Sequence, residues 1–425
     1  MSFEMRSITE IVDFNPKRVI KKGTVAPFID MAALPVSSRN VEEITEKEFK
    51  GGGAKFCNGD TLFARITPCL ENGKTAKVSG LHRNQNGFGS TEFIVMSAKD
   101  REHDEDYVYY LARLPEFRAY AKARMEGTSG RQRVPWQSLA EFEYPMPSKE
   151  LRKRAGDFFR AIDDKIFLNT KTNKNLEQMA QAIFKSWFVD FDAVKSKMNG
   201  EQPEGMDAAT ASLFPEKLVE SELGLIPEGW EVKQLGDYLT IKRGGSPRPI
   251  KEFIVPDGYP WTKIADATAN DNPYIFKTKE FIREEGLKKT VYLKKGTLIL
   301  SNSATPGLPR FLDLDACIHD GWLHFPEKKH FTDSYLYQLF LHIRKHLVSQ
   351  GNGSVFTNLK TDILRNQVVL VPPKELVDIY EIHAGKILET VKAKSIENNQ
   401  LSQLRDTLLP KLLSGEIELG TNEEL

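Results

Sequence analysis

The sequence predicts an α+β protein built twice. Two mixed α/β globular domains are expected, separated by two long, antiparallel coiled-coil helices and related by an internal pseudo-two-fold repeat. Three observations predict this. The stretch PSKEL at 147–151 returns as PPKEL at 372–376, 225 residues further on. Downstream of the first copy, residues 151–188 contain no proline, and their apolar positions recur at alternating intervals of four and three. Between the copies, residues 192–222 are polar and interrupted by Pro and Gly, as a linker would be.

The elements follow in order: a first globular domain (1–147), a first spacer helix (148–191), the linker (192–222), a second globular domain (223–372), a second spacer helix (373–416) and a tail (417–425). With the offset fixed at 225, Ile162 falls on Ile387, Ile166 on Val391, Asn173 on Asn398, Leu176 on Leu401 and Ile183 on Leu408. Upstream, Leu139 falls on Leu364 and Ser129 on Ser354, so the register holds without a gap from 129 to 188. A run of that length is a duplication. The globular parts match more loosely. GDTLFARITPCL, from Gly59, parallels GTLILSNSATPGL, from Gly296, with Thr67-Pro68 on Thr305-Pro306 at an offset of 238. APFIDMAALP (26–35) resembles YPWTKIADAT (259–268). Divergent domains joined to matched tails suggest variable reading and fixed assembly.

In the first tail the seam positions are Ile162, Ile166, Asn169, Asn173, Leu176, Ala180, Ile183 and Trp187. In the second they are Ile387, Val391, Lys394, Asn398, Leu401, Arg405, Leu408 and Leu412. A heptad seam broken by asparagine specifies one register rather than a strong homodimer, because a buried amide tolerates few partners. A helix of about 38 residues would be about 57 Å long. If the halves are related by a two-fold axis, the helices run antiparallel with Asn173 and Asn398 near their midpoints.

Composition narrows the function. Apolar residues make up 40% and charged residues 28%, the profile of a globular chain; no apolar run is long enough to span a membrane, and the first residues carry no signal pattern. The expectation is a cytoplasmic protein with no membrane contact. Cys57, Cys69 and Cys317 form no CxxC pair, so neither a structural zinc nor a disulfide frame is expected. Lys and Arg number 59 against 59 Asp and Glu, yet residues 118–133 carry Arg118, Lys122, Arg124, Arg131 and Arg133 against Glu126 alone. Residues 224–371 hold 20 basic and 16 acidic side chains. Basic patches on a neutral chain fit a protein that meets a polyanion on one face.

Catalytic patterns are absent. Asn72-Gly-Lys-Thr75 ends like a phosphate loop, but the required first glycine is Pro68, which has no N–H to offer a phosphate. Asp271-Asn-Pro-Tyr274 differs from an adenine-methyltransferase tetrapeptide and follows no glycine-rich methyl-donor loop. The eight histidines show no paired-ligand spacing. The chain reads as a binder without catalysis, metal or cofactor of its own.

After the linker, Leu225-Ile-Pro-Glu-Gly-Trp230, Gln234-Leu-Gly-Asp237 and Arg243-Gly-Gly-Ser-Pro247 resemble the opening of a target-recognition domain. The family is the DNA-specificity subunit of type I restriction–modification enzymes. ARITPCLENGK (64–74), STEFIVM (90–96) and GTSGRQRVPWQSL (127–139) resemble the same domain's internal motifs, and LRDTLLPKLLSGEI (404–417) the end of the second conserved helix. The resemblance covers essentially the whole chain. One departure stands out: the first half lacks the PEGW lead-in and begins almost at SITEIVDF, which leaves the start of its domain open.

The resemblance implies a non-catalytic subunit that binds double-stranded DNA, each domain reading one half of a bipartite asymmetric site. The helices would set the spacer and dock two copies of the modification subunit, which bring S-adenosylmethionine, with ATP and Mg used by a restriction subunit where one joins. A protein-binding coiled-coil scaffold, a free-standing enzyme and a methyltransferase-only assembly remain open alternatives. Arginine forks read guanine and amides read adenine, while cations hold phosphates. The candidate DNA contacts are Arg65 and Lys74 around the Thr67-Pro68 turn, Arg118 and Lys122, and Arg131, Gln132 and Arg133 after a Gly-flexed turn. In the second half they are Lys242, Arg243 and Arg248 around GGSP, Lys263, and Ser301 with Asn302.

Overall fold

The computed structural model describes residues 3–128, 130–269, 271–350 and 358–420. Ser129 and Ser354, which anchor one end of the repeat register, lie outside the described residues. The chain divides into two compact units, Met1–Thr170 with Ile396–Leu425, and Lys171–Ser395.

Two sheets build the first unit. One orders its strands Val12–Phe14, Phe93–Ala98, Thr61–Ala64 and Thr75–Lys77, all antiparallel. The other orders Thr45–Glu48, Val25–Ile29, Gly87–Gly89 and Ala54–Phe56, with Val25–Ile29 parallel to Gly87–Gly89. Phe93–Ala98 is buried on both faces, so it reads as a continuous apolar run rather than an alternation. The helix Arg101–Arg113, capped by the Asp100 carboxylate accepting from the Glu102 and His103 N–H groups, lays Tyr107, Tyr110 and Leu111 into the core with Phe63, Ile94 and Phe117.

The second unit repeats this plan. Leu239–Arg243, Trp322–Lys328, Leu298–Ser301 and Pro309–Leu312 form one sheet in the corresponding order, extended by Tyr274–Ile275. Its other sheet again holds a single parallel pair, Tyr259–Thr262 beside Ala316–Ile318. The stretches 26–35 and 259–268, matched in sequence, therefore both supply the parallel strand. The offset of 225 reappears in element boundaries: the short helices Trp136–Ala140 and Thr361–Arg365 correspond at both ends, as do the starts of the long helices Lys149–Phe188 and Lys374–Ser414.

Within each unit the two long helices contribute antiparallel segments. In the first, Arg405 pairs with Asp163, and Asn169 donates to Glu397 and Asn398. In the second, Asn173 faces Val391 and Ser395, and the Tyr380 hydroxyl donates to the Ala180 carbonyl. The asparagine contacts repeat. Asn398 donates to the Ile166 carbonyl (3.4 Å) and the Thr170 hydroxyl (3.2 Å); Asn173 donates to the Val391 carbonyl (3.3 Å) and the Ser395 hydroxyl (3.0 Å). These partners are related by the same 225-residue offset.

The first helix buries Ile162, Asn169, Asn173, Ala180 and Trp187 and half-buries Ile166, Leu176 and Ile183, on the expected seam. The second departs from it. Val391, Arg405 and Leu412 are buried, but Leu388, Ser395 and Leu409 lie deeper than their neighbours Ile387, Lys394 and Leu408; Asn398 and Leu401 are half-buried. Burial of Lys394 would strand its ammonium, so the small hydroxyl of Ser395 takes the inner place, bonded to the Val391 carbonyl.

Two further expectations change. Residues 192–222 fold into the helices Asp192–Met198 and Ala208–Ser212 and half of the hairpin Leu218–Ser221/Gly224–Pro227, because Ala193, Val194 and Phe214 join the core that holds Trp187 and Trp230. The missing PEGW lead-in has a counterpart. Met5–Ser7 pairs with Glu143–Pro145 as Glu231–Gln234 pairs with Val368–Val371, and Phe3 packs on Gly415 where Trp230 packs on Phe188. Gly415, at φ +74°, lets the ring approach where a Cβ would collide.

Candidate nucleic-acid interface

In the first unit the turn after Thr61–Ala64 meets the loop 127–134 edge to edge. The Thr67 N–H donates to the Gln132 carbonyl (3.0 Å), the Gln132 N–H to the Thr67 hydroxyl (3.1 Å) and the Val134 N–H to the Arg65 carbonyl (3.0 Å). Two segments about 65 residues apart in sequence thus present Arg65, Arg131, Gln132 and Arg133 together. Arg131 is exposed and its guanidinium makes no hydrogen bond among the described residues. Arg133 is committed to Glu92, its Nε at 2.9 Å from both carboxylate oxygens and Nη2 at 2.7 Å, an attachment that raises its pKa.

The remaining first-unit candidates divide by environment. Lys122 is exposed and 3.3 Å from Glu71. Lys74 donates to the Met31 carbonyl at 2.9 Å. Arg118 is a structural residue rather than a free cation: it donates to the Gly73 carbonyl (2.8 Å) and the Thr75 hydroxyl (2.6 Å) over the ring of Phe63. Burial, with Arg113 nearby, pushes its pKa down to about 10.

In the second unit the Gly244–Pro249 loop threads between backbones. A Cβ on Gly244 would sit 2.3 Å from the His319 carbonyl oxygen, so only glycine allows this approach. Asp320 gathers the loop: its carboxylate accepts from the Ser246 hydroxyl (2.7 Å) and lies 3.6 Å from Arg248, and its carbonyl accepts from Arg243. Lys242 and Arg248 are exposed, Arg248 with 81% of its side chain free. Beside the loop opens a cleft of about 670 Å³ lined by Arg248, Lys251, Trp261, Lys263, Glu280 and His319 among others. Burial lowers the pKa of His319, whose ring accepts from the Gly321 N–H (2.6 Å).

Ser301 and Asn302 are corrected. Both are buried, at 0% and 4% exposure, and brace the turn that follows them. The Ser301 hydroxyl donates to the Thr305 carbonyl and accepts from the Leu308 N–H; Asn302 donates to the Asp320 carbonyl. Both side chains are thus enclosed within the domain. Sequence reasoning missed Lys251, on the short helical turn Ile250–Glu252 just after Arg248, and Glu280, His319 and Asp320, which enter through strand pairing rather than a local motif. No group of His, Cys, Asp and Glu suited to a metal occurs among the described residues, and no described helix is long and apolar enough to cross a membrane.

Residues 227–405 match the family model described as the type I restriction modification DNA specificity domain. Residues 227–405 thus carry a type I restriction modification DNA specificity domain, and the chain as a whole is similar to specificity subunits of that system. Curated relatives agree along its length. The HindI specificity subunit of Haemophilus influenzae is 27% identical, the match covering 97% of each chain; the MjaIX specificity subunit of Methanocaldococcus jannaschii is 26% identical over 90% of this chain and 83% of that one. The fold of this chain is similar to the crystal structure of the type I restriction–modification S subunit from M. genitalium, at a TM-score of 0.59 and 14% identity over 97% and 96% of the two chains. The domain matched in the second unit has its counterpart in the first, whose two sheets repeat the strand order without the edge strands Tyr274–Ile275 and Ile254–Val255.

Proposed function

We propose that this chain is the DNA-reading, non-catalytic subunit of a type I restriction–modification complex, and that each unit reads one half of a bipartite, asymmetric DNA site. One observation carries the reading: the domain matched at 227–405 has its sheet order and its closing helix–strand–helix run repeated in the first unit. The exposed cations Arg131 and Lys122 in the first unit, and Lys242, Arg248 and Lys251 in the second, supply phosphate and base-edge contacts. The loops that carry them differ in sequence, so the two half-sites differ.

The long helices set the gap between half-sites, and the matched tails offer two similar docking surfaces to two copies of the modification subunit. That subunit brings S-adenosylmethionine; a restriction subunit, where present, brings ATP and Mg. This chain holds no cofactor, contacts no membrane and works in the cytoplasm.

Single-molecule sequencing of genomic DNA from cells carrying this chain with its modification partner tests the reading. A methylated two-part motif with a fixed gap is expected, lost on deletion of the chain. Replacing residues 224–371 should rewrite one half of the motif only. Methylation that persists unchanged without the chain overturns the proposal.

A further inference from the structure

The cleft of the second unit is not a plain anion site, because a carboxylate stands among its cations. Lys263 Nζ lies 2.5 Å from Glu280 Oε1, with 43% and 34% of the two side chains exposed. The bond uses one carboxylate oxygen and one ammonium proton; the other oxygen and protons have no protein partner among the described residues. The pair is held rigidly. Glu280 stands opposite Trp261 in strand register, and Asp266 ties both segments, accepting from the Lys263 N–H (2.8 Å) and the Lys279 N–H (3.2 Å). The exposed Arg248 and Lys251 complete the lining.

We infer that Lys263 and Glu280 together read one G·C base pair in the half-site of the second unit. In the major groove, guanine O6 and N7 accept hydrogen bonds, and the neighbouring cytosine N4 donates one. An ammonium beside a carboxylate is the complement of that edge: Lys263 donates to guanine and Glu280 accepts from cytosine. An A·T pair would bring the thymine methyl group against the charged pair. Arg248 and Lys251 hold flanking phosphates, which carry affinity without sequence.

The inference rests on the DNA-specifying role proposed above. Its test uses the complex of this chain with its modification subunits and duplexes of the methylated motif, each base pair replaced in turn, with binding measured by competition. The unaltered complex should lose about tenfold or more in affinity at one G·C position of one half-site. Glu280→Gln and Lys263→Met should each reduce discrimination at that position to under about threefold while leaving every other position as it was. The double variant Lys263→Glu/Glu280→Lys should prefer C·G there, an outcome that misfolding cannot produce. Discrimination retained at every position by both single variants, or lost equally at all, overturns the inference while the DNA-reading role stands. An unaltered complex with no sequence preference overturns that role itself.

Discussion

In the first unit, Arg405 donates to Asp163 at 2.6 Å, the Tyr110 hydroxyl donates to the same carboxylate at 2.7 Å, and all three side chains are buried. In the second unit the positions offset by 225 residues are Leu388 and Ala180, both buried: Leu388 joins the core that also holds Phe184, Trp187, Phe188, Tyr335 and Tyr380, and the Ala180 carbonyl accepts from the Tyr380 hydroxyl. One helix register is thus filled twice, by an ionic network and by close-packed rings. A duplicated backbone fixes where side chains meet without fixing how they attract. The ionic version is the more demanding, since each member depends on the others to offset its lost hydration.

The largest expected effect comes from breaking that network. Arg405→Leu leaves the Asp163 carboxylate buried without its counter-charge and should cost about 3–5 kcal/mol, read as a lowered midpoint of thermal unfolding. The triple variant Tyr110→Phe/Asp163→Leu/Arg405→Ala installs the apolar solution of the second unit and should recover most of that loss. A triple variant as unstable as the single one would mean that the two seams are not interchangeable.

The amide contacts sharpen the comparison from the other side, because here the units agree. Asn173→Ala and Asn398→Ala each remove the two bonds that the amide donates and should cost about 1–2 kcal/mol apiece. Asn398 also accepts from Asn169 at 3.0 Å, so Asn398→Ala should be the costlier by about 0.5–1.5 kcal/mol, a margin that Asn169→Ala made beforehand should remove. A margin that survives Asn169→Ala in chemical denaturation would break the equivalence of the donated pairs.

A third difference is titratable. Glu177 in the second unit is held up at about 7, above its ordinary 4.5, mainly by burial, with Asp271 raising and Arg310 lowering it; the equivalent residue in the first unit is Ser402. The folded value lies above the unfolded one, so the native state carries no penalty below about 4.5 and loses stability as pH rises to about 7. Glu177→Gln should therefore stabilise the second unit by about 1–2 kcal/mol at pH 8, allowing for the solvent that still screens this half-buried group, and change little at pH 4. Equal effects at both pH values would exclude Glu177 as the source.

Much of the fold was legible because it rests on local signals counted twice. The 225-residue offset marks the long helices, the short helices before them and the strand between, since all depend on residues close in sequence. The seam of the second helix was legible only to within one position: Lys394 fits the heptad count, but a lysine does not give up its hydration while Ser395 can turn inward. The interface was legible as loops and not as side chains. Arg118 and Arg131 sit in one basic run, yet Phe63 and Gly73 enclose the first and leave the second in water. Glu280 and Lys263 meet through the pairing of Tyr259–Thr262 with Glu280–Ile282, which no local motif announces.

The smallest effect separates two neighbours in one loop. A cation that neutralises a phosphate releases a counterion, so its removal flattens the salt dependence of DNA binding by about one unit of slope. Arg131 has no acidic partner among the described residues and should show that change when replaced by Ala; Arg248 in the second unit, 3.6 Å from Asp320 and largely exposed, should show a similar one. Arg133 is already neutralised by the Glu92 carboxylate, so Arg133→Ala should leave the slope nearly unchanged even if it loosens the loop. Binding of the assembled complex to its own motif across a salt series reads all three. A flattened slope for Arg133→Ala, with none for Arg131→Ala, would mean that the Glu92 pair opens on DNA and that the paired arginine is the one that meets the phosphate.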